Sequence, residues 1–116
     1  DAVEDLLNAT LDRPKLARVK QSDTIADALA CGEQYVLVFD NDPPIRVGEV
    51  LGLLTREKLL LLPATDLVSQ HLEPKPVLLG FSETLERAKQ VLATENCALV
   101  LREGEVLGLI TAQAIS

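Results

Sequence analysis

The chain is written twice. Ser22-Asp23-Thr24-Ile25 returns as Ser82-Glu83-Thr84-Leu85, and Val50-Leu51-Gly52-Leu53-Leu54-Thr55 returns as Val106-Leu107-Gly108-Leu109-Ile110-Thr111. Between these anchors "YVLVF" at 35–39 lies over "CALVL" at 97–101, and upstream "DLLNATLD" at 5–12 lies over "DLVSQHLE" at 66–73. A duplication running through all 116 residues restricts the fold to two like units. A unit of about 55 residues buries too little surface to stand well alone, so two copies sharing a core are expected. The sequence boundary falls at 62/63. It gives a first repeat, 1–62, with an N-terminal helix, and a second, 63–116, whose last helix is cut short.

Each copy has one rhythm. A helical segment (3–11, then 65–72) leads through "DRPK" or "EPKP" into an extended stretch at 16–19 or 77–79. A helix then starts near Thr24 or Thr84. Thr24 with Asp27 has the form of a capping box, and Ile25, Ala28 and Leu29 share one face, as do Leu85, Ala88, Val91 and Leu92. The next two apolar runs are short and rich in Val and Leu, the pattern of a buried hairpin. The copies differ in length where a duplicated fold tolerates it. The second has about two more residues in its helix, and the first about six more in "DNDPPIRVGE", where the second turns through Glu103-Gly104. The last helix is "REKLLLL" in the first copy and the truncated "AQAIS" in the second. The leucines at 59–62 cover more than one helical face, so core packing and an oligomer contact are both open.

Eleven basic against eighteen acidic residues give a net charge of −7, with no basic cluster, which argues against nucleic acid or an anionic membrane as partner. The leucine run is too short to span a bilayer. Cys31 and Cys97 stand in no metal or redox spacing and are expected as buried thiols in a reducing, cytoplasmic setting. No nucleophile elbow, phosphate-cradling glycine loop or metal-ligand cluster is present, and His71, the one histidine, is expected as a solvated side chain, so neither catalytic nor metal residues are assigned. The opening "DAVEDLL" and the closing "TAQAIS" are expected of a segment cut from a longer protein.

A tandem β-α-β-β-α unit with Gly-Leu-Leu-Thr (52–55) and Gly-Leu-Ile-Thr (108–111) closing its last strand, Ser-Asp-Thr-Ile and Ser-Glu-Thr-Leu before its first helix, and Val38-Phe39-Asp40-Asn41-Asp42 at the hairpin resembles the CBS domain, over essentially 5–116. The resemblance implies an α+β fold of two CBS repeats packed through their sheets with pseudo-twofold symmetry. It also implies a non-catalytic regulatory module, without a required cofactor, that senses an adenosine-bearing or other phosphate-bearing molecule such as AMP, ATP or S-adenosylmethionine in the cleft between repeats. Homodimerisation and a covalently linked parent domain follow from the same likeness. Carried onto this sequence, the ligand-binding residues would be Ser22, Thr24, Val36, Thr55, Arg56 and Lys58 in the first copy and Thr84, Ala98 and Thr111 in the second.

One departure bears on the ligand. In the family an Asp three residues after the helix-opening Thr grips the ribose hydroxyls, whereas here Lys58 follows Thr55 and Ala114 follows Thr111. Two readings stay open: a sensor in which Lys58 and Arg56 favour a polyanion, and a ligand-free dimerisation or interaction scaffold with vestigial clefts. Thr55 and Thr111 serve either as helix caps or as phosphate contacts.

Overall fold

The computed structural model describes Val3 and residues 16–42 and 44–112. It forms two compact units. In the unit spanning 16–75, β1 (Leu16–Val19), α1 (Ile25–Ala30), β2 (Tyr35–Val38), β3 (Gly52–Thr55) and α2 (Arg56–Leu59) follow in order. The sheet order is β1-β2-β3, with β1 parallel to β2 and β2 antiparallel to β3. A parallel pair needs a crossover, and α1 supplies it. The unit spanning 76–112, with Val3, repeats the plan with β4 (Val77–Gly80), α3 (Leu85–Leu92), β5 (Cys97–Arg102) and β6 (Glu105–Thr111), in sheet order β4-β5-β6. The two crossover helices differ by the two residues expected, six in α1 against eight in α3.

Strand alternation sorts the apolar residues. Val19, Val36, Val38 and Leu54 pack with Ile25 and Ala28 of α1, and Leu79, Ala98, Val100 and Ile110 pack with Ala88 and Leu92 of α3. Val19, Ala28, Val36, Val38 and Leu54 correspond along the duplication to Leu79, Ala88, Ala98, Val100 and Ile110, whereas Ile25 corresponds to Leu85 and Leu92 comes from the end of the longer α3. The alternate residues Leu37, Leu53, Leu99 and Leu109 point to the other face of their sheets and are buried too. Both faces covered explains why the strands are near-continuous apolar runs.

The compact units do not follow the sequence boundary at 62/63. Val68 is fully buried in the first core, and its N–H donates to the Asp23 carbonyl at 2.8 Å; Val3 is fully buried in the second core, and its N–H donates to the equivalent Glu83 carbonyl at 2.7 Å. Val3 of the first repeat thus completes the second core, and Val68 of the second repeat completes the first. Val3 takes in the second core the place that Val68 takes in the first, and the stretch 5–12 paired by sequence with 66–73 lies outside the described residues.

Other expectations change locally. The helix expected at 65–72 is a single 3-10 turn, Val68–His71, whose start is held by Leu67 N–H donating to Gln70 Oε1 at 2.8 Å. Pro63, four residues after the end of α2, opens a turn in which Asp66 N donates to Pro63 O at 3.1 Å, and the bridge between Thr24 and Leu67 holds Leu67 extended just before the 3-10 turn. The helix expected at 3–11, Val3 apart, and the one expected at 112–116, Ala112 apart, lie outside the described residues. The hairpin turn is as expected: Glu103 and Gly104 both have positive φ, 52° and 82°, the pair of signs that a two-residue primed turn requires. A one-residue slip between Val100 and Leu101 leaves Leu107 as a bulge in β6. The longer connection 39–51 is anchored rather than bare loop. Asp40 accepts from Gln21 N and Nε2 at 2.8 and 2.6 Å, Asn41 pairs with Glu49, and Lys75 Nζ donates to Val47 O at 2.9 Å.

Cys97 is buried, which pushes its thiol pKa up, with a further push from the nearby Glu95 charge. Cys31, expected to be buried, is exposed because it is the residue capping the end of α1.

Candidate functional site

Five of the nine candidate residues, Ser22, Thr24, Thr55, Arg56 and Lys58, lie at two helix starts in the first unit. At the first, Thr24 caps α1. Its hydroxyl accepts from Asp27 N at 3.1 Å, and Asp27 Oδ2 accepts from Thr24 N at 3.0 Å, the reciprocal box expected. The backbone N–H of Thr24 holds the Asp27 carboxyl below its usual range, and the Thr24 hydroxyl adds to this. The next amides inward are taken as well, Ile25 N by Asp66 O at 2.9 Å and Ala26 N by Ala64 O at 3.0 Å. Every first-turn donor of α1 therefore has a protein partner. Ser22 lies exposed just before it.

The second start is the β3–α2 junction. Thr55 caps α2 by accepting from Lys58 N at 3.3 Å, and Arg56 N donates to Gln34 O at 2.9 Å. Lys58, which replaces the family's ribose carboxylate, forms an ion pair with Glu73. That pair is the compensation for a cation in the first turn of a helix, where the backbone dipole disfavours it. Lys58 is therefore not a free cation for a polyanion. Arg56, half-buried beside it, has no side-chain partner among the described residues. Gly52 opens the strand into this junction, and a Cβ there would lie 2.3 Å from the Glu73 carbonyl oxygen. The glycine serves a close backbone approach by the segment that carries Glu73.

Val36 and Ala98 do not join these groups. Both side chains are fully buried in the two cores, facing α1 and α3. Thr84 caps α3, accepting from Arg87 N at 3.1 Å, and is exposed. Thr111 ends β6 opposite Cys97, and position 114 is outside the described residues. His71, expected in solvent, sits 2.8 Å from Asp66 with its ring largely covered. Among the described residues no group of three or more His, Cys, Asp or Glu is placed to hold a metal, and no helix is long and apolar enough to cross a membrane.

Glu73, Gln21 and Asp66 were not singled out by sequence. Glu73 lies fifteen residues from Lys58 in proline-bearing "EPKP". Nothing in its spacing distinguishes it from the other acidic residues.

No protein-family model matches the sequence. Solved structures do match its fold. A CBS-domain containing protein from Agrobacterium tumefaciens superposes with a TM-score of 0.75 at 20% identity, covering 98% of this chain and 90% of that one. The CBS domains of a transcriptional regulator from Streptococcus pneumoniae give 0.70 at 18% identity, covering 99% and 96%. The cytosolic domain of the Mg2+ channel MgtE, solved in complex with ATP, gives 0.68 at 20% identity, covering 97% of this chain and 50% of that one. With its two three-stranded sheets and duplicated α+β plan, the chain has the fold of a tandem CBS-domain pair.

Proposed function

We propose that this chain is a non-catalytic regulatory module that binds an adenosine-bearing or other phosphate-bearing small molecule and modulates a larger protein. The observation that carries the reading is the match of almost the whole chain to CBS domains of a regulator and of a channel, the latter solved with ATP. Arg56 beside the Thr55 cap is the cation free to meet such an anion. A ligand of this kind regulates only through a difference in affinity between two states of the module. The location is cytoplasmic, where the exposed Cys31 thiol stays reduced. The module forms a homodimer through the leucines that end α2 and follow it, where Leu60 and Leu61 are 62% and 85% exposed. A monomer mass in light scattering at micromolar concentration would remove that part of the proposal.

A second reading, a ligand-free dimerisation or interaction scaffold, is favoured by a specific observation. The first-turn donors of α1 and the charge of Lys58 already have protein partners. Thermal-shift measurements with AMP, ADP, ATP and S-adenosylmethionine, followed by calorimetry, separate the two. A ligand at a hundredfold its Kd raises stability by about 2.7 kcal/mol, and a scaffold shows no shift with any of the four.

A further inference from the structure

The segment that follows α2 returns across the unit and engages the β3–α2 junction in two ways. Glu73's carbonyl lies over Gly52, at a spot where no other residue type fits without displacement, and its carboxylate pairs with Lys58. Two residues on, Lys75 Nζ holds Val47 O at 2.9 Å. The backbone of Glu73 packs closely on Gly52, and the Lys75 bond anchors the same segment. The carboxylate is a separate, half-exposed contact, with side-chain exposures of 40% and 42% for Lys58 and Glu73.

We propose that the Lys58–Glu73 ion pair is an autoinhibitory latch, an internal carboxylate that occupies the cation a phosphate-bearing ligand needs and that such a ligand must displace. The inference rests on the ligand-binding reading above. The chemistry is competition between two anions for one ammonium group. With Glu73 on Lys58, only Arg56 of the two neighbouring cations is open to an incoming phosphate. When a phosphate takes Lys58, Glu73 loses its partner and its negative charge stands beside the ligand. Ligand occupancy and the hold on residues 72–75, the stretch leading into β4, are thereby coupled. By reciprocity, loosening that stretch strengthens binding. The Lys75–Val47 bond, which the competition does not touch, keeps the segment on the unit.

The test is calorimetry with ATP and, separately, inorganic tripolyphosphate on wild type, Glu73→Gln, Lys58→Gln and the double variant. Glu73→Gln should tighten both ligands about two- to five-fold, the scale of a half-exposed ion pair. It should have no effect in the Lys58→Gln background, the signature of a direct coupling. Amide exchange at Glu73 and Lys75 in wild type should quicken when ATP is added. Binding by wild type that Glu73→Gln leaves unchanged or weakens overturns the latch while the ligand-binding reading stands. Binding seen only in Glu73→Gln supports the latch, with wild type held closed. Failure of all four proteins to bind either anion overturns the latch and the sensing reading together. Melting curves of Glu73→Gln should stay close to wild type, which keeps the comparison free of folding effects.

Discussion

Replacing Gly52 by Ala tests whether the return of the 72–75 segment across β3 is built into the fold. The added Cβ would meet the Glu73 carbonyl oxygen at 2.3 Å, against 3.4 Å or more for an ordinary contact. The obstruction is backbone, so no rotamer change relieves it, and the segment must move by roughly 1 Å. Overpacking of this kind costs about 1–3 kcal/mol. Shifting Glu73 also strains its pair with Lys58, an exposed interaction that adds up to ~1 kcal/mol. A loss of about 2 kcal/mol with a urea slope of ~2 kcal/mol/M lowers the midpoint by about 1 M. Gly48→Ala is the internal control, since its Cβ meets nothing within 4 Å. That variant should match wild type or gain a few tenths of a kcal/mol by restricting the unfolded chain. If Gly52→Ala unfolds at the wild-type midpoint, the close approach of Glu73 is wrong, and the latch built upon it loses its fixed point.

The leucine run should split by position. Leu59→Ala, which empties a fully buried site, should lose about 2–5 kcal/mol, whereas Leu61→Ala, 85% exposed, should stay within about 0.5 kcal/mol at concentrations where the chain is monomeric. Thr24→Ala should cost ~1 kcal/mol through the lost cap. Asp27 is held below its ordinary value of 3.8, so its contribution is complete above that pH and fades as pH falls through the lower folded-state value. Asp27→Asn should accordingly flatten the acid limb of a stability–pH curve measured by denaturant titration. Cys31 should react with a thiol reagent in the native state far faster than Cys97, whose thiol is buried and shifted upward; equal rates would refute that placement.

Much of the fold was legible because it depends on local pattern. The short, continuous apolar runs, the Thr-initiated helices and the Glu103-Gly104 turn each express a short-range preference that neighbouring residues satisfy. Duplication made them clearer by giving every element a second reading. The strand at 16–19, the crossover helices and the two-residue difference between them came directly from that comparison.

The site was legible only in part. Thr24, Thr55 and Thr84 were placed correctly at helix starts, since a capping hydroxyl acts within three residues of itself. The partner of Lys58 was not, because an ion pair fifteen residues apart exists only once the chain has turned back on itself. The same holds for His71 with Asp66, where an extended stretch and a 3-10 turn replaced the expected helix.

By itself, then, the sequence determined two like units, their elements and the residues of each core, because burial periodicity and capping are properties of adjacent residues. Tertiary structure decided which segment completes which unit, with Val3 sealing one core and Val68 the other, and which charges remain free. Those outcomes depend on where distant segments come to rest, and that position is set by the fit of buried side chains and backbone approach, as at Gly52, rather than by any pattern along the chain.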